Sequence, residues 1–150
     1  MLTQEELKKI LPQSYPFLLI DRVESYVSGE SLIAIKNISA NEWVFQGSED
    51  GANQTQYFPE SLLIEAAAQA ALVLYHLTKV KGGQRPLYIL GRANGEFFSR
   101  VEAGDQIRFQ VSAGKMLGSG GYSNIHVSRR DEKVSDVEIF YSVRPQADDR

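Results

Sequence analysis

Residues 59–74 read Pro-Glu-Ser-Leu-Leu-Ile-Glu-Ala-Ala-Ala-Gln-Ala-Ala-Leu-Val-Leu, a stretch that from Leu62 onward is apolar on every side except for one acid and one amide. Pro59 stands where a helix begins, because its missing N–H has no hydrogen bond to lose there. Leucine and alanine carry the helix onward with high propensity, and no Gly or Pro interrupts it before Gly82 and Gly83. A helix that is apolar all round is wrapped by other structure and does not lie on a surface. The chain must therefore fold around this segment. Glu65 and Gln69, four positions apart, share one face of the helix. A carboxylate taken out of water without a partner is costly, so the fold needs a reason to keep it. Glu65 is either tied into a structural network with Gln69 and neighbouring backbone, or it is a general acid or base at the floor of a ligand cavity. Spacing leaves both readings open.

A chain of 150 residues is the size of one domain and can bury a real core. The net charge of −3 offers no broad basic field, which argues against nucleic acid as a partner. The absence of cysteine excludes disulfides and thiolate chemistry and fits a reducing compartment. The apolar run over residues 62–77 is too short for a membrane span and contains Glu65, Gln69 and His76. Residues 1–6, Met-Leu-Thr-Gln-Glu-Glu, lack the basic start and apolar stretch of a signal peptide. The expectation is a cytoplasmic domain with no membrane span and no metal.

Thr3 and Glu6 form a capping box that opens a short amphipathic helix over residues 4–11, ended by Pro12. Residues 15–22 are an apolar run closed by a charged pair, expected as a buried turn leading into strand. Residues 23–27 and 31–38 alternate around Ser28-Gly29-Glu30 and predict a hairpin. Residues 41–46 are expected as an extended piece, and the polar, acidic stretch 47–56 as a loop. After the long helix, a turn over 81–86 leads into period-two segments at 87–91, 96–98, 106–113, 122–129 and 133–143. Gly-rich turns at Gly104-Asp105 and residues 118–121 link them, and the tail from Pro145 is polar and frayed. The pattern is α+β: an antiparallel sheet with one long apolar helix against it. Such a sheet leaves a face and an edge to cover, which pairing of two chains would do, creating cavities at the shared boundary. His76 lies eleven positions after Glu65, roughly 16 Å along a helix, beyond hydrogen-bond reach of a shared substrate within one subunit. In the segment 122–129, Ile125 and Val127 form the apolar face, which puts His126 with Asn124 on the opposite, exposed face.

Five blocks in register carry a family resemblance. They are Leu11-Pro12-Gln13-Ser14-Tyr15-Pro16-Phe17-Leu18-Leu19-Ile20-Asp21-Arg22-Val23; residues 34–42 with Phe45-Gln46-Gly47; residues 62–69 with Glu-Ala-x-Ala-Gln; residues 91–98; and Val101-Glu102-Ala103-Gly104-Asp105-Gln106-Ile107. In these the chain resembles the hotdog-fold β-hydroxyacyl-acyl-carrier-protein dehydratases of fatty acid synthesis, the FabZ type. The resemblance implies a single hotdog domain over residues 1–150: a curved antiparallel sheet wrapped around one long central helix, with 1–14 as N-terminal helix and lead-in and 145–150 as tail. It also implies removal of water from a 3-hydroxyacyl thioester. In that family a histidine takes the proton beside the carbonyl, and an acid on the partner subunit's central helix acts on the hydroxyl. Backbone N–H groups at the helix start polarise the thioester carbonyl. Glu65 sits at the family's acid and Gln69 at its accompanying glutamine. Gly47, Ser48, Pro59, Glu60, Ser61 and Phe98 fall at substrate-binding positions.

The chain departs from the family at two of these places. Ser48 occupies the position of the histidine that follows Gly47, inside a loop longer than the family's, and serine has no basic group titrating near neutrality. Glu49 or Asp50 would be the loop's own candidate for a carboxylate base. Glu60 replaces the glycine whose N–H faces the carbonyl, although an acid in a first helical turn is also simply good dipole chemistry. The resemblance therefore implies an acyl-thioester-binding protein whose substrate rides on the phosphopantetheine of acyl carrier protein or CoA, with no other cofactor. It leaves four functional readings: a dehydratase, a non-catalytic partner subunit of a heteromeric dehydratase, a thioesterase in which Glu65 activates water, or a lipid-binding or regulatory module using the same pocket without turnover. The assembly it implies is a homodimer, a trimer of dimers, or a heteromer with an active homologue.

Overall fold

The computed structural model describes residues 1–46 and 56–146. Helix α1 (Gln4–Ile10) opens on the expected capping box: the Thr3 N–H donates to Glu6 Oε2 at 2.7 Å and the Glu6 N–H to Thr3 Oγ1 at 3.4 Å. Strands β1 (Arg22–Val27) and β2 (Ser31–Asn37) pair as an antiparallel hairpin, with Gly29 at φ 77° where the chain reverses. The long helix α2 (Glu60–Lys79) follows, with Pro59 as its cap residue. Four strands complete the chain: β3 (Leu87–Phe97), β4 (Gln106–Leu117), β5 (Gly120–Arg129) and β6 (Glu132–Arg144).

The strands form one six-stranded antiparallel sheet in the order β1-β2-β4-β5-β6-β3. Register shifts in β1, β3, β4 and β6 bend it, as bulges do, and α2 packs against β2 through β6. This is the helix wrapped in a curved sheet that the apolar segment demands. Ala66, Ala67, Ala70 and Ala71 are fully buried along α2, facing Ile107, Phe109 and Val111 of β4, Ile125 and Val127 of β5, and Val137 and Ile139 of β6 across the core. By length and composition α2 could cross a bilayer, but it is the core helix, mostly buried inside the sheet. His126 lies, as expected, on the outer face, where its Nδ1 is 3.1 Å from Asp136.

Three local expectations are corrected. Residues 41–46 hold a 3-10 turn at Trp43–Phe45 in place of an extended piece, because Glu42 C=O and Trp43 C=O accept from Phe45 and Gln46 N–H. The segments 87–91 and 96–98 are one continuous strand, β3, which ends at Phe97. The polar stretch Arg92-Ala93-Asn94-Gly95 hides that continuity, since β3 is an edge strand hydrogen-bonded to β6 alone in the sheet and most of its side chains are exposed. In residues 15–22, Leu19 and Ile20 are buried but Tyr15 and Phe17 face outward. The segment is a turn with one buried and one open side, for a reason that lies in the site itself.

Candidate functional site

The first two turns of α2 and the lead-in segment 12–17 flank an open cleft of about 630 Å³, lined by Pro12, Gln13, Ser14, Tyr15, Phe17, Ser61, Leu62 and Glu65. Ser61 and Glu65 are one helical turn apart and so point the same way. At the helix start Pro59 C=O accepts from the Leu62 and Leu63 N–H groups. The N–H groups of the turn itself, those of Glu60 and Ser61, have no intrahelical acceptor and carry the positive end of the helix dipole. The pocket thus joins a carboxylate, a hydroxyl and a helix N-terminus on one side to aromatic and aliphatic surface on the other.

Glu65 is held from two directions. Gln69, fully buried on the next turn, donates from Nε2 to Glu65 Oε1 at 3.2 Å. The same Nε2 donates to Phe17 C=O at 2.7 Å, and Gln69 Oε1 accepts from the Leu19 N–H at 3.0 Å. Its amide is therefore fixed in orientation by the lead-in backbone. Gln13, at the other end of that segment, donates from Nε2 to Glu65 Oε1 at 3.5 Å. Two amide donors meet on Oε1, while Oε2 has no hydrogen-bond partner among the described residues. Both sequence readings of Glu65 contain part of the answer: it does belong to a network with Gln69 and backbone, and it does line a cavity. Glu65 is half-buried, less enclosed than the apolar helix suggests, because the lead-in segment covers it from one side only.

Among the described residues lining this pocket none is basic. His76 is half-buried farther along α2 with its Nδ1 3.0 Å from the Tyr88 hydroxyl, and burial holds its pKa below the ordinary value. Glu60 and Pro59 stand at the helix start but outside the pocket lining; Glu60 is exposed. Phe98 is exposed at the end of β3, with the Lys133 ammonium 4.6 Å from its ring centroid, and is not brought to Glu65 within this chain. Gly47, Ser48, Glu49 and Asp50 lie outside the described residues.

The approach to α2 is built by residues that local pattern does not expose. Lys36, buried in β2, places its Nζ 3.0 Å from Glu42 Oε1 and 5.6 Å from the Phe58 ring centroid. The Phe58 N–H donates to Val101 C=O at 2.7 Å, and Tyr57 bridges Glu102. The helix start is thus tied both to β2 and to the segment entering β4.

Residues 11–141 match the FabA-like domain family. The chain belongs to that family. Its relatives include the 3-hydroxyacyl-[acyl-carrier-protein] dehydratase FabZ of Enterococcus faecalis, 35% identical over 143 residues, covering 95% of this chain and 98% of that protein. The FabZ of Shewanella woodyi is 38% identical over 141 residues, covering 93% and 91%. Among solved structures, the dehydratase heterocomplex ApeI:P from Xenorhabdus doucetiae superposes with a TM-score of 0.74 at 17% identity, over 93% of this chain and 91% of that one. The sheet-wrapped helix is thus a hotdog fold, and Glu65 and Gln69 stand on the central helix of a FabA-like, 3-hydroxyacyl-acyl-carrier-protein dehydratase-type chain.

Proposed function

We propose that this chain binds a 3-hydroxyacyl thioester with its acyl portion in the pocket beside α2, and that Glu65 acts on the 3-hydroxyl group. The observation that carries this reading is the Glu65 carboxyl group, oriented by Gln69 and Gln13 on the wall of an aromatic-lined pocket next to a helix N-terminus. Dehydration removes a proton from the carbon next to the carbonyl, breaks the bond from C3 to oxygen and releases water. Glu65 Oε2 supplies the proton that lets the hydroxyl leave, and the open N–H groups of the helix start stabilise the enolate oxygen formed meanwhile. The substrate arrives on the phosphopantetheine arm of acyl carrier protein or CoA, with no further cofactor, in the cytoplasm.

Among the described residues no side chain at the pocket supplies the base. Ser48 stands at the family's histidine position, and no basic side chain lines the pocket among the described residues. This favours a second subunit as part of the working site. Strand β3 has Leu87, Ile89 and Leu90 exposed and one open edge, which suits pairing with another hotdog chain. A homodimer buries that edge; a heteromer with a histidine-bearing homologue also brings a base.

Incubation with a 3-hydroxyacyl-acyl-carrier protein, alone and with such a homologue, tests the reading. Enoyl product that disappears in Glu65→Gln, by about 100-fold or more in kcat, supports it. Full turnover by Glu65→Gln would end it. Release of free thiol without enoyl product would assign the site to hydrolysis instead.

A further inference from the structure

Gln13 carries an unpaid half of its amide. Its Nε2 faces Glu65, as it must, since turning the amide over would set two acceptor oxygens against each other. Its Oε1 is buried and has no hydrogen-bond partner among the described residues. A desolvated carbonyl oxygen left without a donor costs about 1–3 kcal/mol, so the site is incomplete as it stands. Gln69, one turn farther on, shows the contrast: both ends of its amide are engaged by backbone or by Glu65. Among the described residues the Gln13 amide has only the long 3.5 Å contact to Glu65, so turning Oε1 toward the cavity that the residue lines would break a single weak bond.

The polar groups on this wall are the Glu65 carboxyl group, which gives its proton to the substrate hydroxyl, and Gln13 Oε1, which can only accept. A ligand group that fits between them must bring a hydrogen-bond donor close to where a carboxyl group can reach it. Resting on the acyl-thioester reading above, we propose that Gln13 is a specificity-determining residue that accepts a hydrogen bond from the 3-hydroxyl of the bound acyl chain. It makes the pocket favour 3-hydroxyacyl chains over saturated or 2-enoyl chains of equal length, which have no donor at that carbon. The Tyr15 and Phe17 rings on the same segment give apolar surface to the remainder of the chain.

The test uses two pantetheine conjugates in which an amide replaces the thioester, 3-hydroxyoctanoyl and octanoyl. These resist hydrolysis, and their α-carbon is too weakly acidic to eliminate water. Calorimetry on the full chain should show the hydroxylated conjugate bound about tenfold more tightly. Gln13→Met, which keeps length and removes both polar atoms, should bring the two affinities within about twofold of each other. Gln13→Asn, which withdraws the amide by one methylene, should lose the preference too and serves if the methionine variant does not fold. A full preference retained in either variant overturns the assignment, as does octanoyl binding by the parent chain with no preference at all. If the parent chain binds neither conjugate, the acyl-thioester reading of the pocket fails first and this inference with it.

Discussion

Exchanging Gln69 for methionine would disconnect the central helix from the lead-in segment while leaving core volume nearly unchanged. Gln69 is fully buried and makes three hydrogen bonds, to the Leu19 N–H, Phe17 C=O and Glu65. Leu19 is itself buried, so its N–H would have no water to turn to and would cost about 1–3 kcal/mol. Phe17 C=O lies in a more open place and would lose roughly the net value of one hydrogen bond, about 1 kcal/mol. The sum is about 2–4 kcal/mol, which at roughly 2–4 °C per kcal/mol lowers the melting midpoint of a chain this size by about 5–15 °C. Urea unfolding followed by circular dichroism reads it directly, with the midpoint falling and the slope unchanged. A Gln69→Met variant within about 0.5 kcal/mol of the parent would refute the reasoning. It would mean that the buried Leu19 N–H is served by another acceptor and that Gln69 does not hold the pocket wall.

Two further outcomes test other parts of the structure. Glu42→Gln removes the partner of the buried Lys36 ammonium and should cost about 3 kcal/mol by chemical denaturation, whereas replacing both residues by methionine should recover most of it; equal losses in the single and double variants would contradict this. At the alkaline end, burial pushes the Tyr141 phenol up to about 12 and raises that of Tyr88 in the same direction. Because the folded values lie above the unfolded value of about 10, this contribution is intact below pH ~10 and is lost as pH climbs toward Tyr141's folded value. The urea midpoint should therefore fall over that interval, and less so in Tyr141→Phe.

The sequence pattern captured the parts whose cause is local. The apolar helix, the Thr3–Glu6 box, the hairpin at Gly29 and the outward face of His126 each follow from spacing within a few residues. The single strand β3 was hidden because its exposed edge position removes the alternation that marks a half-buried strand. The site was half legible. Glu65 and Gln69 announce themselves as polar residues on an apolar helix, but Gln13 meets Glu65 across fifty-two positions, and no periodicity links two residues so far apart. Standing between Pro12 and Ser14, it carries no local mark of its own. Lys36 and Glu42 were equally silent, since a lysine in a strand reads as a solvent-facing residue until the fold encloses it.

The alanines of α2 couple integrity to chemistry. Ala66, Ala67, Ala70 and Ala71 bring only methyl groups to the buried layer shared by helix and strands. Added carbons there would overpack that layer and shift the helix that carries Glu65 against the segment holding Phe17 and Leu19. Thickness of the core and aim of the carboxyl group are then a single mechanical variable. Mutational drift in this layer cannot loosen one without misaligning the other.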